Sequence, residues 1–331
     1  MKRYKLALIC GAIYKRRGLN MERKTISIIA NRKTKSMVEK TASVIFICCA
    51  VVSIVAVVGI TAYMFVSGTP AIFKVGLTEI LFSNVWAPTA ANPQYGILNI
   101  ILTSIVGVFF AILIGVPIGI LTAVNLAEIA NPKVRNIIKS AVELLAGIPS
   151  VVYGLLGILI INPLMYQLEL MIFAGSKTHQ FTGGANLISA ILVLAIMILP
   201  TLINITETSL KSVPDDYRKS SLALGASQMQ TIFKVVLPAA KNGIMSAVVL
   251  GVGRAIGEAM AILLVAGNSV NFPLPFNSVR FLTTGIVSEM GYASGTHREV
   301  LFTIGLVLFI FILAINLILT FILKRGGEDG K

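Results

Sequence analysis

Six stretches of this chain are apolar over eighteen or more residues, and that alone rules out most folds. A helix rises about 1.5 Å per residue, so roughly twenty apolar residues cross a hydrocarbon core of about 30 Å. The stretches are Thr41 to Phe65, Ile97 to Leu126, Ala141 to Ile161, Leu187 to Ile205, Gly243 to Gly267 and Val300 to Leu323. None alternates apolar and polar residues over ten positions, as a transmembrane barrel strand would. The reading is therefore an all-α, polytopic membrane bundle of six transmembrane helices. A mean hydropathy of +0.88 and only 13% charged residues agree with it, against about one quarter charged in a soluble domain.

The net charge of +14 raises the question of nucleic acid. Its distribution answers otherwise. Of 28 Lys and Arg, 23 lie in the segments that share a side with the N-terminus, four in the opposite loops (Lys74, Lys177, Arg280, Arg298), and Arg254 within a span. That bias is the positive-inside rule, which puts both termini in the cytoplasm and accounts for the charge without a nucleic-acid partner. Residues 1–40 form a basic cytoplasmic tail, 41–325 the six-span domain, and 326–331 a short cytoplasmic tail. Met21 offers an alternative start, and the first twenty residues then read as an amphipathic surface piece or as no part of the protein.

Cys10, Cys48 and Cys49 sit at or before the first span, where none can staple an external loop. His179 and His297 fall in outside loops and read as ordinary surface residues. Neither they nor the cysteines have metal-ligand spacing, so no metal is expected. The segment from Val66 to Tyr95 holds Gly68, Pro70, Trp86, Pro88 and Pro93, and predicts an ordered cap with turns.

The longest cytoplasmic connection, 206–242, is too long for a simple turn and reads as structured. Pro214, Asp215 and Asp216 suit the start of a helix capped by Ser212, and Gly225 ends it. A second helical pattern comes next through Met229, Ile232, Phe233 and Val236, with Pro238 leading into the fifth span. Two short helices broken by a glycine make either a knob for another protein or an amphipathic pair resting on headgroups. The residues alone leave both open.

The spacing here resembles the EAA motif of ABC-transporter permeases: Gly225, nine residues, then Val235, Val236, Leu237 and Pro238. Lys219, Ser220 and Ser221 occupy the Glu-Ala-Ala positions, so the shape of the motif is kept and its negative charge is not. "ELLAGIPSVVYGLLG" (143–157) and "GVGRAIGEAMAILLVAGN" (251–268) resemble the phosphate-specific transport permeases, and "WAP" at 86–88, "YGI" and "LAEIA" resemble their PstC type. The resemblance implies a type I, MetI-like importer permease in the cell membrane of a prokaryote. It also implies a PstA-type second permease, two copies of a cytoplasmic ATPase and an extracytoplasmic phosphate-binding protein. Lys219, Ser220, Ser221, Gly225, Leu237 and Pro238 would then meet the ATPase.

Arg254 lies about 18 Å into the fifth span, where an ion costs about 2.5 to 3.5 kcal/mol on insertion scales. Glu258, four residues on, is expected to share its helix face and pair with it. The two together are expected to form an anion path, against the alternative of a pair that only fixes packing. Gly147 and Pro149 predict a kink in the third span, either a hinge or static. Gly115, Pro117 and Gly119 read as packing in the second span. Glu143 reads as a solvated interface charge, with Lys139 and Lys211 as the partners within reach. No G-x-x-x-x-G-K-[ST] loop occurs, so any ATP hydrolysis belongs to a partner and the chain itself is not an enzyme and holds no cofactor.

Alternatives in the same class are the sister PstA-type permease or a permease for molybdate or sulfate. An ion-driven secondary transporter would show inverted halves and its own coupling-ion site, and neither is visible.

Overall fold

The computed structural model describes the backbone of residues 2–328 and the side chains of 39–318, Thr320 and Phe321. Two units are distinct, Met1–Tyr63 and Met64–Lys331. The first lies within helix α1 (Lys2–Val75). Its described apolar side chains, Val44 to Ile60 among them, are exposed, as lipid-facing groups are. The reading of residues 1–20 as a surface piece, and Cys10 with it, falls outside the described side chains.

The second unit opens with the end of α1, then α2 (Leu77–Phe82) and a small hairpin, β1 (Trp86–Ala87) against β2 (Gln94–Tyr95). The expected cap with turns forms around Pro88 and Pro93, whereas Gly68 and Pro70 make no turn and lie within α1. Next comes α3 (Leu98–Val124), which closes in a π-turn at Asn125–Ile129. Then come α4 (Pro132–Gly147), α5 (Ser150–Leu156), a second π-turn (Gly157–Ile161) and α6 (Asn162–Phe173). The central helix is α7 (Leu187–Lys211), buried at intervals along its whole length.

The long connection carries α8 (Asp215–Ala223), α9 (Gln228–Thr231), a third π-turn (Ile232–Val236) and α10 (Leu237–Ala239). It leads into α11 (Lys241–Gly257), α12 (Met260–Val265), α13 (Leu282–Glu289) and α14 (Gly295–Glu328).

Glycines set how closely the central helices approach. A β-carbon on Gly115 would stand 2.8 Å from Ile198, and one on Gly119 2.9 Å from Leu202. The pairing numbers rise together, so α3 and α7 run parallel. Gly243 meets Ser209 and Gly251 meets Leu202, so α11 runs antiparallel to α7. Membrane helices gain little from hydrophobic exclusion and associate through such small-residue contacts. Gly115 and Gly119 are buried in these contacts as the packing reading expects, whereas Pro117 is exposed, and α3 passes through all three unbroken.

Two spans depart from the sequence reading. The third does not run from Ala141 to Ile161: the apolar span is Ser150–Phe173, and Ala141 to Gly147 belong to α4, which is too polar on one face to cross lipid. Gly147 and Pro149 therefore mark a complete break between helices and not a kink within one. Ile148 and Pro149 are both extended (ψ 128° and 144°), because a proline ring pushes the preceding residue out of the helical region. The fifth span is also discontinuous. Gln228–Ala239 meets Lys241–Gly257 at 69°, and α11 ends before Glu258.

Candidate functional site

At the break between α11 and α12, Glu258 is extended (ψ 130°). Its carboxylate accepts the Ala261 N–H at 2.9 Å, and its carbonyl accepts the Thr283 hydroxyl at 2.6 Å. Backbone groups freed inside a membrane must find such partners. The α4–α5 break is covered in the same way, by the Tyr153 hydroxyl donating to the Leu145 carbonyl at 2.7 Å. The short helices after the two breaks pack together, with Gly154 so close that a β-carbon there would stand 2.9 Å from Ala261. The interrupted fifth span thus packs against the start of the third.

The expected pair of Arg254 with Glu258 does not form. The helix stops between them, so the four-residue spacing no longer puts them on one face, and the Glu258 carboxylate turns to cap α12. Arg254 is exposed, and its Nη1 lies 3.4 Å from Thr201 Oγ1. Thr201 stands 14 residues from the start of α7 and 10 from its end, about 21 and 15 Å along the axis. The guanidinium is therefore near the middle of the span. Among the described residues, no carboxylate lies within ion-pair distance of it. Gly253 and Gly257 open onto free space beside it.

At the end of the bundle that carries the long connection, Asp215 and Asp216 occupy the first turn of α8 as expected. Ser212 is not its cap. It closes α7 instead, donating to the Ser209 carbonyl, and Pro214 precedes α8. Gly225 ends the helix with φ +87°, a left-handed value that a side chain resists. Ser227 and Gln230 then form a capping box for α9.

Ile232 and Val236 are buried against Leu126, Val142 and Leu210, whereas Met229 and Phe233 face outward. Lys219 and Ser220 are exposed, as is Pro238, while Ser221 and Leu237 are half-buried. Leu224 is 89% exposed, and with Tyr217, Ser220, Ser221 and Gln230 it lines a cavity of 710 Å³. Neighbouring ion pairs fix this end. Glu207, 3% exposed, holds both Lys139 and Lys211, so those lysines do not pair with Glu143, which is exposed. Arg218 pairs with Glu128 of the first π-turn, and its guanidinium is held above its usual pKa, first by that hydrogen bond.

Sequence reasoning missed two buried carboxylates at the opposite end. Glu289 accepts from Trp86 Nε1 (3.1 Å), Arg280 Nη1 (2.5 Å) and His297 Nε2 (2.7 Å). Glu169, fully buried, holds His179 Nε2 at 2.8 Å and the Thr182 N–H and hydroxyl at 3.0 Å. Neither histidine is the ordinary surface residue that its loop suggested. The signal available was an isolated acid beside an apolar segment, which needs a partner wherever it is buried.

Residues 115–325 match the family described as binding-protein-dependent transport system inner membrane component. The "Probable ABC transporter permease protein YqgH" of Bacillus subtilis is 37% identical over 90% of this chain and 96% of its own length. The phosphate transport system permease protein PstC of Pasteurella multocida is 33% identical over 76% and 82%. A solved bacterial alginate ABC transporter, in complex with an alginate-bound periplasmic protein, matches at TM-score 0.54, 15% identity, 82% of this chain and 94% of that one. The chain belongs to the binding-protein-dependent inner membrane components, as a multi-pass ABC transporter permease of MetI-like fold.

Proposed function

We propose that this chain is the permease subunit that carries inorganic phosphate into the cell, the PstC-type half of a pair with a PstA-type permease. Two copies of a cytoplasmic ATPase and an extracytoplasmic phosphate-binding protein complete the complex. The observation that carries the cargo reading is Arg254, exposed at mid-depth and, among the described residues, without a carboxylate partner. A guanidinium facing lipid there is unfavourable, so its face turns to water or to a second subunit. A planar fork of N–H donors suits a phosphate oxyanion. Glu258, seated at the break, lends its negative charge to the same region and keeps the anion from binding too firmly.

The basic bias places the end with α8 in the cytoplasm, where the 206–242 connection receives the ATPase. Similarity to the PstC relatives supports phosphate, and a Mycoplasma pneumoniae PstA homologue, 30% identical over 80% of this chain and 38% of its own length, supports a paired architecture of related halves. The break at Gly147 and Pro149, opposite the break at Glu258, serves as the hinge between spans that move.

The test is uptake by vesicles holding the complete complex, with phosphate, molybdate and sulfate offered separately. ATP-dependent import of phosphate above the other two is expected. Import without ATP would remove the motor, and preference for another oxyanion would change the cargo. A second expectation concerns Gly225. A β-carbon there meets no neighbour, but the left-handed backbone costs a β-branched residue about 1–2 kcal/mol. Gly225→Val should lower ATPase copurification severalfold while membrane insertion is kept, and undiminished copurification would count against the docking role.

A further inference from the structure

We infer that Arg218 and Glu128 are positioning residues that lock α8 to the end of α3, so that motion imposed on α8 reaches the second span directly. The inference rests on the reading of the 206–242 connection as the ATPase docking site.

None of the residues of α8 is buried. A helix with no side chain in a core cannot pass on a push by packing, because nothing resists its sliding. Its attachments must be polar. One is a hydroxyl contact, Ser221 to Thr231 at 2.9 Å, which ties α8 to the α9 turn across Gly225. The other is Arg218.

A single guanidinium there ties α8 to two other elements. Nη2 and Nε donate to Glu128 Oε1 and Oε2 at 2.6 and 3.2 Å, a two-pronged pair. Nη2 also donates to the Leu210 carbonyl at 2.9 Å, and Nη1 to the Val213 carbonyl at 2.7 Å. Those carbonyls lie at the C-terminal end of α7, where positive charge is favoured. The Arg218 and Glu128 side chains are only 19% and 10% exposed, so water and salt screen the pair less than a surface bridge. The contact to Asp215, 3.4 Å away and 79% exposed, adds little.

Glu128 owes its aim to the π-turn Asn125–Ile129 at the end of α3. One extra residue in a turn rotates the succeeding side chains by about 100° relative to an unbroken helix, and such turns recur at functional positions. The same π-turn takes a weaker bond at its Glu128 carbonyl, from Gln228 Nε2 at 3.4 Å. Arg218 and Glu128 are 90 residues apart, so the pair joins elements that the chain does not join locally.

The experiment compares the complete reconstituted complex carrying wild-type chain, Glu128→Gln, Arg218→Lys, or Glu143→Gln as an exposed-carboxylate control. ATPase copurification, ATP hydrolysis and phosphate imported per ATP are measured together. Glu128→Gln should keep the ATPase bound and hydrolysing, while import per ATP falls about tenfold, a coupling loss of ordinary size. Arg218→Lys keeps the charge but loses the fork and should fall in the same direction, and Glu143→Gln should match wild type.

An unchanged ratio in both variants would overturn the inference, as would import and hydrolysis falling in step. If Glu128→Gln does not assemble, Arg218→Lys decides alone. Failure of the ATPase to copurify with the wild-type chain would instead sink the docking reading on which the inference stands.

Discussion

Arg254→Ala should reduce ATP-driven phosphate uptake tenfold to about a hundredfold, since a hydrogen bond to a charged group is worth about 1.5–3 kcal/mol. Protein yield in the membrane should not fall. Removing a guanidinium from mid-span relieves an insertion cost of about 2.5–3.5 kcal/mol, and among the described residues its one hydrogen bond is a 3.4 Å approach to Thr201. A purely structural arginine would behave in the opposite way, with stability lost and transport per molecule kept. Arg254→Lys retains the charge without the planar fork, so its initial rate should lie between wild type and alanine. Uptake per molecule unchanged in Arg254→Ala would place the anion path elsewhere.

The extended Glu258 gives this prediction a companion. If the pair had formed along one helix face, removing either member would have stranded the other. Because Glu258 caps Ala261 and its carbonyl takes Thr283, Glu258→Gln should keep the α12 start while removing the negative charge, and Glu258→Ala should disturb that start as well.

Features are legible in the sequence where the information that specifies them is local. The first, second, fourth and sixth spans are long apolar runs, and length with hydropathy is enough to find them. The fifth escapes that rule because it is interrupted by a few residues whose neighbours are apolar on either side, and the third, Ser150–Phe173, is misplaced because the apolar residues that end α4 run on into it. "GIPS" at 147–150 reads as a bend, although proline after isoleucine favours full extension of both. "GEA" at 257–259 carries no proline, and the break there depends on Thr283, 25 residues away, covering a carbonyl. The glycine at 225 is legible because only a left-handed position demands it. The π-turn that aims Glu128 is not, since its composition is that of any helix end. The histidines mislead although their partners are near, Glu289 eight residues from His297 and Glu169 ten from His179, because what buries those carboxylates is distant: Trp86, on Glu289, is 203 residues away.

That Glu289 cluster should show the largest loss of stability from a single substitution. Its carboxylate, 5% exposed, is the common acceptor for Arg280, His297 and Trp86. Taking it away leaves the Arg280 guanidinium, 14% exposed, largely uncompensated, and breaking a buried pair on one side costs about 3–5 kcal/mol. Glu289→Ala should therefore lower the apparent Tm of the detergent-solubilised protein by about 10 °C. The effect should reach the centre of the membrane, because α13 is only eight residues long. Glu289 ends it and Thr283, near its start, holds the Glu258 carbonyl at 2.6 Å. Glu289→Leu combined with Arg280→Met should recover part of the loss, since an apolar pair of similar volume replaces a buried ion pair at little cost. A Glu289→Ala protein that melts with wild type would mean that the cap is held by packing around Ile97 and Leu301, and that the carboxylate is incidental.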